Sequence, residues 1–80
     1  MAAKEELHKV ILYHRKQAGL SREQLAELAG VGKTVIYDLE KGKQTVKWST
    51  IMRILQVLNI GIKFQSPLME AYEKGDHQNI

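Results

Sequence analysis

Apolar residues recur at helical spacing along most of the chain, and the period changes once, near residue 59. In residues 3–18, Leu7, Val10, Ile11, His14 and Ala18 share one stripe, whereas Glu5, Glu6, Lys9 and Lys16 lie mostly off it. This is the pattern of an amphipathic helix. Glu5 and Glu6 near its start, with Arg15 and Lys16 near its end, complement the helix dipole, and Gly19 closes it. A second helix is predicted over residues 21–29 from Leu25, Ala26, Leu28 and Ala29. Ser21, followed three residues on by Gln24, is the signature of a capping box. Gly30 stands where a helix needs a left-handed residue, which glycine adopts without a Cβ clash.

Val31 is expected to be the apolar residue of the turn, and Gly32 precedes a third helix that Gly42 stops. Here Ile36, Leu39 and Glu40 share one side, while Lys33, Thr34, Tyr37 and Asp38 share the other. Lys33 lies in the first turn, where the dipole disfavours a cation by ~0.3–1 kcal/mol. Its placement points to a negative partner outside the fold. A fourth helix opens at Trp48 and carries Ile51, Ile54, Leu55 and Leu58 on one stripe to about residue 58.

Over residues 59–66, Ile60, Ile62 and Phe64 alternate with Gly61, Lys63 and Gln65, and Pro67 closes the run. That is a strand pattern, and no second strand is visible elsewhere in the sequence. A lone strand leaves its backbone groups unpaired, so it calls for the same strand of a second copy, making a homodimer. Residues 1–66 therefore read as one domain. Residues 67–80 read as a tail, mobile apart from a helical turn or two around Leu68 to Tyr72.

At 80 residues the chain is near the size where oligomerisation often adds needed stability. The absence of cysteine excludes disulfides, thiolate metal sites and cysteine nucleophiles, which suits a reducing cytoplasm. No apolar run approaches the ~18 residues of a membrane span, and residues 1–9 lack the apolar core of a signal peptide. Residues 1–65 hold 11 Lys/Arg against 6 Asp/Glu, whereas residues 66–80 hold Lys74 against Glu70, Glu73 and Asp76. A basic body with an acidic tail fits a polyanionic partner. His14 reads as a partly buried packing or hydrogen-bonding histidine, and His8 and His77 share no metal-binding spacing with it. Glu23, Glu27, His8 and His14 offer no catalytic constellation, and residues 30–34 lack the spacing of a phosphate loop. No enzyme activity, metal or cofactor is expected.

Gly19-Leu20-Ser21, Gln24-Leu25-Ala26, Ala29-Gly30-Val31, Ile36 and Leu39-Glu40-Lys41-Gly42 together resemble the helix-turn-helix of the phage repressor and Cro family, also called XRE-like or lambda-repressor-like. The resemblance runs over about residues 10–58. It implies an all-α domain of four to five helices, here with a short C-terminal β-strand pairing across a dimer. It also implies that the third helix lies in the DNA major groove. Gly32, Lys33, Thr34, Tyr37 and Asp38 are then the candidates for base contact. Arg22, Gln24, Lys41, Lys43, Gln44, Thr45 and Lys47 are the candidates for phosphate contact. The family further implies that Arg15 pairs with Glu40 to fix the recognition helix, and that Trp48, in a slot that usually carries leucine, packs into the core. Gly32 departs from the usual Ser/Thr cap, and Tyr37 and Asp38 occupy slots that often carry small or amide side chains, so the resemblance does not give the operator sequence.

Residues 54–64, ILQVLNIGIKF, with the preceding loop and helix from Gly42, resemble a narrower group, the HipB-like antitoxins. That group ends its helical domain with a dimerising strand, which implies roles for Ile60, Ile62 and Phe64. The expected function is a dimeric, sequence-specific double-stranded-DNA-binding repressor on a pseudo-palindromic operator. The alternative is an antitoxin that holds a HipA-like toxin and regulates its own operon.

Overall fold

The computed structural model describes residues 3–75, with side chains from residue 6 onward. The side chain of Glu5, and residues 76–80 with Asp76 and His77, lie outside that description. Among the described residues there are five helices: α1 (Ala3–Gln17), α2 (Arg22–Ala29), α3 (Lys33–Glu40), α4 (Trp48–Val57) and α5 (Met69–Glu73). α2 packs on α3 and α4, and α1 packs on α3. No helix among the described residues is long and apolar enough to cross a membrane.

The core collects the positions that the periodicity marks. Ile11, Leu25, Ala26, Ala29, Ile36, Leu39, Ile51, Ile54 and Leu55 are buried, with Leu7, Leu20, Val31, Val35, Val46, Val57, Leu58 and Ile60 packed around them. Burying an aliphatic side chain of this size contributes ~1.5–3 kcal/mol. On α3, Ile36, Leu39 and Glu40 all face inward, so this short helix is held by two aliphatic anchors and one carboxylate.

The first four helices end in the same way. At α1 the Leu20 amide bonds the Arg15 carbonyl and Gly19 N–H bonds that of Lys16. Val31 to Ala26 with Gly30 to Glu27, and Lys43 to Asp38 with Gly42 to Leu39, repeat the pair at α2 and α3. At α4 the bonds are Ile60 to Leu55 and Asn59 to Gln56. These are Schellman caps, in which a left-handed residue turns the chain while satisfying the last carbonyls. Glycine supplies that residue three times, and at α4 Asn59 does so with φ 59°. Asparagine is the side chain that tolerates this region best after glycine.

One expectation changes here. Trp48 is 57% exposed rather than in the core. It stands at the N-terminal end of α4 with Met52 one turn on, to one side of the inward stripe of Ile51, Ile54 and Leu58. Leu28 is likewise 61% exposed, because Leu25, Ala26 and Ala29 already cover the inner face of α2. Finally, the strand expected over residues 59–66 to pair with a second copy is not present in the single chain. Residues 60–66 take no regular secondary structure, and among the described residues the amides of residues 61–65 meet no backbone acceptor. Among the described residues no segment folds back to give them a partner. Ile60 packs against the core, whereas Ile62 and Phe64 are exposed.

The α4 cap yields a stability test. Asn59→Val should lose about 1 kcal/mol through left-handed strain, while Asn59→Gly should hold or gain stability. Urea unfolding of the three proteins checks both.

Candidate nucleic-acid interface

Glu40 is the centre of the site. It lies in the last turn of α3, where the inward stripe turns it toward α1 and the start of α2. Its side chain is 3% exposed. Arg15 of α1 donates from Nε to Oε2 at 2.5 Å and from Nη2 to Oε1 at 3.1 Å, the bidentate fork that guanidinium and carboxylate geometry favours. A third donor of Arg15, Nη1, bonds the Leu20 carbonyl at 2.9 Å in the α1–α2 turn. Arg22, the first residue of α2, adds a bond from Nε to Oε1 at 2.9 Å. One carboxylate thus ties three helices together. Among the described residues no buried side-chain polar atom lacks a partner.

Burial alone would raise the Glu40 carboxyl, but the hydrogen bonds and charges of Arg15 and Arg22 outweigh it and hold the group below its ordinary value. The carboxylate therefore stays ionised at neutral pH. The pairing of Arg15 with Glu40 is as the resemblance implies. The second arginine is not legible from spacing, because it depends on how α2 crosses α3.

The opposite side of α3 faces out. Lys33 and Thr34 are exposed, Tyr37 is 42% exposed and Asp38 is partly buried. With Ser21, Arg22 and Glu23 at the start of α2 and Arg15 of α1, the side chains of Lys33, Thr34 and Tyr37 line a shallow depression. Gly32 caps α3 through its backbone conformation, with no side-chain cap bond. Lys33 does have a negative neighbour within the fold. Its Nζ lies 3.4 Å from Glu23 Oε2, because the turn sets the starts of α2 and α3 side by side. That corrects the expectation of an outside partner alone. Both groups are exposed, and such a pair contributes only ~0–1 kcal/mol.

Tyr37 is flanked by cations. The Arg22 guanidinium lies 5.3 Å from its ring centroid and Lys41 Nζ 4.9 Å. Asp38 receives Lys43 Nζ at 3.4 Å from the loop that follows. Lys41 and Lys43 are thereby drawn toward α3, and Gln44, Thr45 and Lys47 continue as an exposed loop to α4. Gln24, by contrast, has its Oε1 engaged by the Ser21 amide at 2.8 Å while Ser21 Oγ accepts from the Gln24 amide at 3.0 Å. The capping box is complete, and it leaves only the amide NH₂ of Gln24 for a ligand. His14 Nδ1 donates to the Val10 carbonyl at 2.7 Å, as a hydrogen-bonding histidine should. Among the described residues no group of three His, Cys, Asp or Glu could hold a metal ion.

A separate apolar depression lies between α1, α4 and the segment after α4. Leu7, Val10, Trp48, Leu55, Ile60 and Ile62 line it, with Glu6 at its edge. The expected dimerisation residues Ile60 and Ile62 meet here, while Phe64 stands 71% exposed beyond them.

Comparison with known proteins agrees with this geometry. Residues 11–65 match the helix-turn-helix family HTH_3. The chain is 40% identical over 53 residues to an uncharacterized HTH-type transcriptional regulator, y4mF, of Sinorhizobium fredii, a match covering 66% of this chain and 70% of that protein. It is 34% identical over 62 residues to the control protein C.SmaI of Serratia marcescens, covering 78% and 74% respectively.

The buried carboxylate sets an order of stabilities. Glu40→Leu strands Arg15 without a counter-charge and should lose ~3–5 kcal/mol. Arg15→Met should lose less, since Arg22 still neutralises Glu40, and the double variant should recover part of the Glu40→Leu loss. Because the native carboxyl sits below its ordinary value of 4.5, its contribution is fully present above that pH. It falls away as pH drops through the native value. Urea unfolding from pH 7 downward should show the wild type converging on the double variant only on the acid side.

Proposed function

The chain belongs to the XRE-like, lambda-repressor-like helix-turn-helix family, and from that premise we propose that it is a sequence-specific double-stranded-DNA-binding transcriptional regulator, acting as a repressor by occupying an operator. The observation that carries the proposal is the two-sided character of α3. Its inner face is locked by Ile36, Leu39 and Glu40, while Lys33, Thr34 and Tyr37 are held outward beside the start of α2. A helix so fixed can present its N-terminal residues to base edges in the major groove.

On this reading Gly32, Lys33, Thr34, Tyr37 and Asp38 face the bases. Gly32 allows close approach of the backbone, and Asp38 can accept from cytosine N4 once Lys43 releases it. Lys41, Lys43, Gln44, Thr45 and Lys47 grip phosphates beside them, with the Gln24 amide at the start of α2. Those contacts supply affinity and register without reading sequence. The weak Lys33–Glu23 pair gives way to DNA at small cost. The protein works without a cofactor, in the cytoplasm where its operator lies.

The operator is read by a homodimer. Two features support this: backbone amides of residues 61–65 that meet no backbone acceptor among the described residues, and the apolar depression of Trp48, Ile60 and Ile62 with Phe64 beyond it. Pairing residues 60–64 of two copies would satisfy the amides and cover these side chains. A second reading, an antitoxin that also holds a HipA-like toxin, draws on the exposed Leu68 and Tyr72, apolar surface beyond what such pairing needs.

Selection of bound sequences from random duplex DNA at fixed salt tests the proposal. A pseudo-palindrome with half-sites about one helical turn, ~34 Å, apart is expected. Failure to enrich any sequence contradicts it. On the selected operator, Lys43→Ala should shallow the slope of log K against log salt by about one unit. Ile62→Pro, which removes a pairing amide, should give monomers by light scattering and weak binding to half-sites. Full dimerisation and affinity in Ile62→Pro would remove residues 60–64 from the interface.

A further inference from the structure

Resting on the DNA-binding reading above, we propose that Tyr37 determines specificity at one base pair and that Arg22 is its positioning residue, held in turn by Glu40. The three residues form a relay from the core to the surface. Glu40, buried among α1, α2 and α3, fixes Arg22 through the Nε–Oε1 bond at 2.9 Å. A guanidinium is planar and rigid, so a bond at Nε sets the direction of the whole group. That group lies 5.3 Å from the Tyr37 centroid, and Lys41 adds a second cation at 4.9 Å. Cations are drawn to the negative face of the ring.

Two consequences follow. The cations occupy the surroundings of the ring face, so Tyr37 is not free to stack on a base. Its edge and hydroxyl remain to meet a base edge in the major groove, with the hydroxyl as hydrogen-bond donor or acceptor and the ring edge as apolar contact. Arg22 is also not a free cation. Its Nε is bonded to Glu40, which turns the guanidinium toward Tyr37, and its side chain is still 44% exposed. Its removal should therefore be felt in base preference more than in the counter-ion balance.

The test uses the full chain, its selected operator, and duplexes altered at each half-site position in turn. Wild type, Tyr37→Phe, Arg22→Lys, Arg22→Ala and the Arg22→Ala/Tyr37→Phe double variant are compared at two salt concentrations. Thermal unfolding confirms that each is folded at the assay temperature. Tyr37→Phe should lose roughly tenfold discrimination at one position. Arg22→Lys keeps the charge but not the fork, and it should relax that same position while leaving the others intact. The double variant should be no worse there than either single one. The salt slope of Arg22→Ala should stay near that of wild type, where a plain phosphate contact would remove about one unit. The proposal is overturned if Arg22→Lys keeps full discrimination, or if Arg22→Ala weakens all sequences alike with a shallower slope. Either result leaves the DNA-binding reading in place, whereas a wild type that selects no sequence overturns both.

Discussion

A single buried carboxylate governs how the recognition surface is built. An ionised group inside a protein is tolerated only when its charge is matched and its lone pairs are filled. Glu40 meets that condition through Arg15 and Arg22, whose bonds converge from α1 and α2. Replacing the cluster by apolar residues of similar volume need not cost stability. What the cluster adds is direction. A fork of hydrogen bonds fixes an angle, whereas aliphatic packing tolerates small rotations. For an eight-residue helix anchored otherwise by Ile36 and Leu39, that angle decides where Lys33, Thr34 and Tyr37 stand.

The turns serve the same end. Each of the first four helices closes with a left-handed residue that satisfies its own terminal carbonyls, so the connections are short and set by backbone hydrogen bonds. Short turns bring the starts of α2 and α3 together, which places Glu23 against Lys33 and Arg22 against Tyr37. The exposed face is consequently a set of compensated cations. Weak, solvated pairs of this kind are readily exchanged for other anions, and they hold Lys33 and Lys43 beside α3.

Much of this was legible in the chain because local rules and the tertiary fold agree. The inward stripe of Ile36, Leu39 and Glu40, the Ser21–Gln24 capping box and the glycine caps all follow from spacing within one element. The Arg15–Glu40 pair spans 25 residues and was reached only through family resemblance. Trp48 misled because apolar character at a helix start does not say which flank it takes. The alternation of Ile60, Ile62 and Phe64 calls for a second copy, so the single chain alone shows no strand there. Period-two patterning marks a segment that would suit a strand, but a strand exists only where another backbone pairs with it. Arg22 against Glu40 and Tyr37 had no local signal at all, since it arises from the crossing of α2 over α3.

The central claim is that the outward face of α3, fixed from beneath by Glu40, is what touches DNA. Titrating isotope-labelled protein with the selected operator duplex, and following backbone amide and tyrosine side-chain resonances, tests it directly. The account expects the largest saturable changes at residues 32–38, with a second group at residues 41–47, and none of comparable size when a scrambled duplex is used at the same salt. Changes confined to Trp48, Met52 and Ile62, with residues 32–38 unmoved, would contradict it.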